Sequence, residues 1–305
     1  MWCLARGDSG AVPECARLIT ADRSRTDAYS EVDGQQFDRV VELSWQPRWV
    51  SQAVDALGDS AGHWTHISSV AVYADHEGDV HDESAPLRGA LAHDTLASGS
   101  QYSEAKVACE HITQRAAGGN VLHVRAGVIA GPGDPTDRFG YWPGRCALAA
   151  GGPILVPDTP TFSTQNIDVR DLAQWVTHAS QHALDGPVNA VGEAVLFSDM
   201  IAQARATAGH TGEVVTATPT WLREHHVKEW SGPYSLPWWY DGPHKYPAIG
   251  RHDGSRYAAH GGRHRPYAEL MRDVCDDERE RGLDRDRSSG LTRDEELALI
   301  GEWNQ

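Results

Sequence analysis

Short apolar runs alternate along this chain with longer stretches whose apolar residues recur every three or four positions. The short runs read as strands: Trp2 to Ala5, Ala16 to Ala21, Arg39 to Leu43, His63 to Val70 and Val121 to Arg125. The periodic stretches read as helices. One opens at Pro47, a residue suited to a first helical turn, and runs to about Leu57. A second covers Gln101 to Ala117 and is closed by Gly118-Gly119. Strands alternating with helices predict a parallel sheet with crossover helices. Residues 74 to 100 are polar and carry Gly and Pro, so they read as loop, as does Gly127 to Pro135. The pattern loosens from about residue 140. There a short strand leads to a helix over Asp168 to Leu184, and further helices are expected at Ser198 to Ala208, Pro266 to Arg281 and Thr292 to Trp303.

At 305 residues and 40% hydrophobic content the chain can build one large α/β domain, or a domain with a smaller lobe. No apolar run approaches the length of a membrane span and no signal peptide opens the chain, so the expectation is a soluble, cytoplasmic protein without a membrane partner. A net charge of −16 argues against nucleic acid, which is bound by neutralising phosphates with Lys and Arg. The five cysteines are scattered, with no CxxC pair, and read as reduced thiols. The 16 histidines form no HExxH, and the spaced pair His260 and His264 is separated by Gly261-Gly262, which weakens any helix, so no metal site is expected. Lysine is scarce: Lys106, Lys228 and Lys245 are the full set.

That scarcity draws attention to Lys106, four residues after Tyr102 on a predicted helix, so that both point to one face. A free phenol has a pKa near 10 and is a poor base at neutral pH. An ammonium held close favours the phenolate, and the phenol can then give or take a proton near pH 7. Ser68-Ser69 end the preceding hydrophobic strand. A hydroxyl there can hydrogen-bond and fix a substrate oxygen. Such a set suits a carbinol carbon beside a nicotinamide ring, which would carry the hydride. Alone, YxxxK is also a common exposed helix face.

Four motifs in order carry a resemblance. They are Ser68-Ser69-Val70-Ala71-Val72-Tyr73, Tyr102-Ser103-Glu104-Ala105-Lys106, Arg125 leading to Gly131-Pro132, and Asp168-Val169-Arg170-Asp171-Leu172-Ala173. The chain resembles the extended short-chain dehydrogenase/reductase family, the NAD-dependent epimerase/dehydratase group, well over residues 1 to 210 and more loosely beyond. The resemblance implies an α/β fold: a Rossmann-like parallel sheet with flanking helices and a smaller C-terminal substrate lobe. Residues 1–150, with 160–190 returning to them, would form the NAD(P)-binding domain, and 191–305 the smaller mixed lobe with C-terminal helices.

The resemblance makes Ser69, Tyr102 and Lys106 the catalytic set, with Lys106 also holding the nicotinamide ribose. It places Asp22 near the adenine, Ser44 in the cofactor groove, and Gly127 and Val128 among the cofactor contacts. Arg138, Tyr141 and Trp142 stand where the family has substrate contacts, although capping of the nearby helix accounts for them equally well. Residues 221 to 246 are rich in aromatics. They are either core or a pocket wall, with Trp238 or Trp239 a member that could reach the site. Val70 and Ala71 occupy the place where a dehydratase would want an acidic pair, which disfavours dehydration.

One departure stands out. The family opens with a strand and a glycine-rich turn that seats the pyrophosphate on a helix N-terminus. This chain starts at what matches the second strand. The first strand would lie between strands two and four. Its absence leaves two edges with unpaired backbone groups, each costing ~1–3 kcal/mol when buried. The expectation is that strands two and four close the gap, or that the true start lies upstream and the chain as given binds dinucleotide poorly. Arg6 falls where the adenosine ribose is selected. An acid there suits the hydroxyl of NAD and a base the phosphate of NADP, so Arg6 tilts the expectation from NAD toward NADP, unless it is an exposed loop arginine. Two functions remain: an NAD(P)-dependent oxidoreductase or epimerase for a hydroxyl or ketone of a small molecule, or a non-catalytic remnant that serves as a binding module. Either would act as a monomer or homodimer.

Overall fold

The computed structural model describes residues 1–8, 10–74, 81–95, 99–240 and 250–303. Two compact units divide the chain. The first comprises Met1–Ala74, Pro86–Arg125 and Val176–Val188, and the second takes the remaining described residues.

The first unit begins with β1 (Trp2–Ala5) and β2 (Arg17–Thr20), which pair in parallel as a sheet of their own. β3 (Val40–Glu42), β4 (Trp64–Ser69), β5 (Val121–Ala126) and β9 (Gly186–Ala190) form a second sheet in the order β3-β4-β5-β9, with β3 and β4 parallel. Every residue of β5 is buried, as in a strand covered on both faces, His123 and Arg125 included. α1 (Pro47–Leu57) buries Pro47, Val50, Ala53 and Val54, a stripe at helical spacing. It packs on α2 (Tyr102–Thr113), and both helices help to enclose the fully buried Trp64. α2 is buried continuously from Ala105 to Glu110, with Thr113 buried beyond. It ends four residues before the expected Ala117. Thr113 Oγ lies 3.0 Å from the carbonyls of both Cys109 and Glu110 and competes with the helix ladder. Ala117 and Gly118 then adopt left-handed φ values of 47° and 63°. β1 and β3 do not pair among the described residues, so strands two and four of the expected order do not close the gap.

In the second unit β6 (Val128–Ala130) pairs in parallel with β8 (Ser163–Asp168), and β10 (Ala194–Leu196) pairs antiparallel to β8. β7 (Ile154–Pro157) pairs in parallel with β11 (Val214–Ala217). β12 (Lys228–Glu229) and β13 (Ser235–Leu236) make a short parallel pair. The helices are α3 (Arg138–Ala149), α4 (Val169–Gln181, which runs on into the first unit), α5 (Phe197–Ala208), α6 (Pro219–Glu224), α7 (Ser255–Ala259), α8 (Tyr267–Arg281) and α9 (Arg293–Trp303). α3, α5 and α8 pack on one another around Phe139, Trp142, Met200 and Met271.

The expected loop from Gly127 contains β6, which corrects that expectation. Gly127 N donates to Ala190 O at 3.0 Å, and a Cβ at 127 would lie 2.9 Å from Gln165 O. A bare glycine lets the chain pass that close and re-enter strand conformation beside β8. Among the described residues no helix is long and apolar enough to cross a membrane.

Candidate active site

β4 delivers its serines where the strand ends. Ser69 is extended, and its Oγ accepts from Ala71 N at 3.2 Å, capping the tight turn over residues 70–72. That acceptor role leaves the hydroxyl proton to give to a ligand. α2 packs against β4 and starts at Tyr102, half-buried. The ring of Trp45, 42% exposed, lies 6.2 Å from the Tyr102 ring. Tyr102 and Lys106 are one helical turn apart on α2.

Lys106 is 3% exposed. Its ammonium donates to Ile67 O at 2.6 Å and Ser44 O at 3.0 Å. Burial pulls its pKa down to about 8, against the opposing pull of Cys109, Glu42 and Glu110. Ser44 is thus part of the lysine's seat rather than a lone groove residue. Its carbonyl also meets His66 Nε2 at 3.3 Å, which makes that nitrogen the protonated one. Burial, then Lys106 and His123, hold His66 well below its ordinary pKa, so it stays neutral. Glu42 is buried as well, bonded through both oxygens to Arg23 at 2.8 and 2.7 Å.

Arg6 and Asp22 come together at the ends of β1 and β2. They line a cavity of about 480 Å³ with Ile19, Thr20, Ala21, Arg25 and Asp27 among the neighbours. Asp8 and Glu31 line it too. Arg6 Nε lies 3.1 Å from Asp8, and Arg25 bonds Asp27 at 2.9 Å. Asp22 is exposed, and its carboxylate is held below the usual range first by the amide of Ser24, at 2.8 Å. Four carboxylates therefore face two arginines, both already paired, in the space that could take a nucleoside.

The remaining candidates lie in the second unit. Gly127 and Val128 lead into β6 and serve its pairing with β8. Arg138 opens α3, donates to Thr136 Oγ at 3.2 Å and sits 5.1 Å over the Trp230 ring. Tyr141, Trp142 and Trp238 are fully buried. Trp142 meets Phe197 edge-on at 5.3 Å, and Trp238 stacks on Trp230 at 4.9 Å. Three of the four expected substrate contacts, Tyr141, Trp142 and Trp238, are core residues in this structure, because their rings fill the space between packed elements. Among the described residues no group of three or more His, Cys, Asp or Glu is placed to hold a metal.

Residues 49–192 match the model of the NAD dependent epimerase/dehydratase family. Among solved structures the chain is similar to a candidate epimerase from Burkholderia cenocepacia J2315, at 17% identity and a TM-score of 0.67, covering 92% of this chain and 89% of that one. It is similar to UDP-glucuronic acid 4-epimerase from Bacillus cereus in complex with NAD, at 15% identity and 0.63, covering 88% and 82%. A third is RMD from Pseudomonas aeruginosa complexed with NADPH, at 16% and 0.62, covering 89% and 93%. At these identities the likeness is one of fold. No curated protein matches the chain.

Proposed function

Since residues 49–192 belong to the NAD dependent epimerase/dehydratase family, we propose that the chain binds a nicotinamide dinucleotide and works on the hydroxyl or ketone of a small molecule, with Tyr102, Lys106 and Ser69 handling the oxygen. The observation that carries this is the packing of α2 on β4. Lys106 is fastened to Ile67, two residues before Ser69, and Tyr102 lies one turn from Lys106 on the same helix.

The dinucleotide, when bound, supplies hydride transfer at the carbinol carbon. The chain supplies the rest. Ser69 donates to the substrate oxygen and orients it. Tyr102 takes the proton from a hydroxyl, or gives one to a ketone. A cationic Lys106 one turn away favours the phenolate. Exposed Trp45 offers a ring face beside Tyr102. The cavity of about 480 Å³ with Arg6 and Asp22 fits the nucleoside end of the cofactor. Its paired arginines and excess of carboxylates favour a ribose hydroxyl over a phosphate, so NAD is the better ligand on this reading. The family resemblance assigns substrate recognition to residues 191–305. Because one solved neighbour is an epimerase of UDP-glucuronic acid, nucleotide sugars are the first class to test.

A second reading, a scaffold that binds without turnover, has one observation of its own. The Lys106 ammonium donates to the protein carbonyls of Ser44 and Ile67, and β1 leads to β2 with no helix between them among the described residues. The test is a titration of the full chain with NADH and NADPH, followed by turnover of a nucleotide-sugar panel by wild type and Tyr102→Phe. Saturable NADH binding and turnover, lost by at least about a hundredfold in Tyr102→Phe with cofactor binding kept, support the enzyme. Equal turnover in the variant refutes Tyr102, and no binding of either nucleotide leaves the scaffold.

A further inference from the structure

Behind the Ser69 turn lies a buried ionic chain that the proposed reaction does not use. The Glu110 carboxylate, 3% exposed, accepts from the Ser68 hydroxyl at 2.6 Å. It also accepts from Arg125 Nε and Nη2 at 3.1 and 2.9 Å. Arg125 Nη1 then donates to the Tyr73 hydroxyl at 3.1 Å, with the guanidinium 5.0 Å above the Tyr73 ring. Ser68, Tyr73, Glu110 and Arg125 are all buried.

The layout is more telling than the bonds. Ser68 comes directly before Ser69, and Tyr73 closes the tight turn that follows it. One ion pair therefore grips the chain on both sides of Ser69. Glu110 lies two helical turns along α2 from Tyr102, on the same face. Lys106, halfway between, grips Ile67. The helix that carries the phenol and the strand that carries the hydroxyl are thus fastened at consecutive strand residues. A buried ion pair is a poor source of stability, since apolar residues of similar volume often do as well. Fixing the geometry of groups on three different elements is what apolar residues would do less well.

We infer that Glu110 and Arg125 are positioning residues that hold the Ser69 hydroxyl in register with Tyr102. The inference rests on the catalytic reading given above. The variants are Ser68→Ala and Tyr73→Phe, which each remove one grip, and the double variant Glu110→Leu with Arg125→Met, which leaves no buried charge alone. The reporter is the Ala71 amide, whose partner is Ser69 Oγ. At an unchanged urea midpoint, Ala71 exchanges about tenfold faster in Tyr73→Phe and in the double variant, while Val124 in β5 keeps its protection. Turnover falls by about ten- to a hundredfold with substrate KM within about twofold, the signature of a misplaced reacting group. Wild-type protection at Ala71 overturns the inference, as does a loosened Ala71 with wild-type kcat. Should the double variant fail to fold, the two single variants decide by the same readouts. If the wild type itself turns nothing over, the catalytic reading fails, and the Ala71 comparison still decides whether the pair holds the turn.

Discussion

Arg6 and Asp8 lie 3.1 Å apart on an exposed turn beside the cavity that also holds Asp22. An arginine already answered by a carboxylate is a weak seat for a phosphate, and Asp8 itself would repel one. Asp8→Ser should therefore improve NADPH binding relative to NADH by about fivefold, the scale of an exposed ion pair. Paired titrations by nicotinamide fluorescence would show it, and an unchanged ratio would remove Arg6 from cofactor selection. In sequence, Arg6 alone suggested NADP because the strand end was readable and the pairing two residues later was not. Much the same holds across the site. Motif order points to Ser69, Tyr102 and Lys106, and the structure seats them on adjoining elements. Glu110 was open to detection, lying four residues past Lys106 on the same face, but YxxxK ends one turn too early to draw the eye. Tyr141, Trp142 and Trp238 are buried, and sequence alone leaves their role open because aromatic content says that a segment buries rings, not whether they face a ligand or one another.

Strands and helices of the first unit were legible because each wears one period: β1 to β5 and α1 lie where runs and stripes put them, and only the last turn of α2 falls short of its stripe. The second unit was harder, and α3 shows why. Its twelve residues include Gly140, Pro143 and Gly144, all of which argue against a helix in isolation. Tertiary contact reverses the argument. A Cβ at 140 would collide with the Glu278 carboxylate on α8, and one at 144 would come 2.7 Å from Arg287 Nη2. The two glycines exist to let a buried charge cluster approach the helix. Gly140→Ala, which raises helix propensity, should therefore destabilise the protein by about 1–3 kcal/mol, the scale of overpacking in a tight core. A thermal melt measures it, and a raised Tm would mean that α8 yields easily. The same logic explains β6. Nothing in a Gly- and Pro-rich run announces a strand until β8 is there to pair with it.

On the scale of the whole molecule, the −16 charge and 16 histidines tie stability to pH, and the sign follows from burial. In the first unit, burial lowers His123 to about 4 from an ordinary 6.5, with Glu110 opposing. His66 is lowered as well. Between these two limits the unfolded chain binds protons that the folded chain refuses, so stability falls as pH drops from 6.5 toward 4. Lys106 adds the same sign at the other end. Burial lowers it to about 8 from 10.5, so stability rises with pH across that window too. Asp137 and Asp171 of the second unit behave in the ordinary way. Arg285 and Arg265, respectively, outweigh the cost of burial and hold their carboxyls low, so their contribution is lost only in stronger acid. Weakening in mild acid should thus begin in the first unit, behind the candidate site. From pH 7.5 to 5, His123 alone should cost about 2 kcal/mol. Urea unfolding at pH 7.5, 6 and 5 would register that loss in the wild type, and His123→Gln, which can still bond Thr113, should flatten the slope by close to one proton. An equally steep slope in the variant would mean that His123 is protonated in the folded state and that the ionic chain around Glu110 is more open to water than its burial implies.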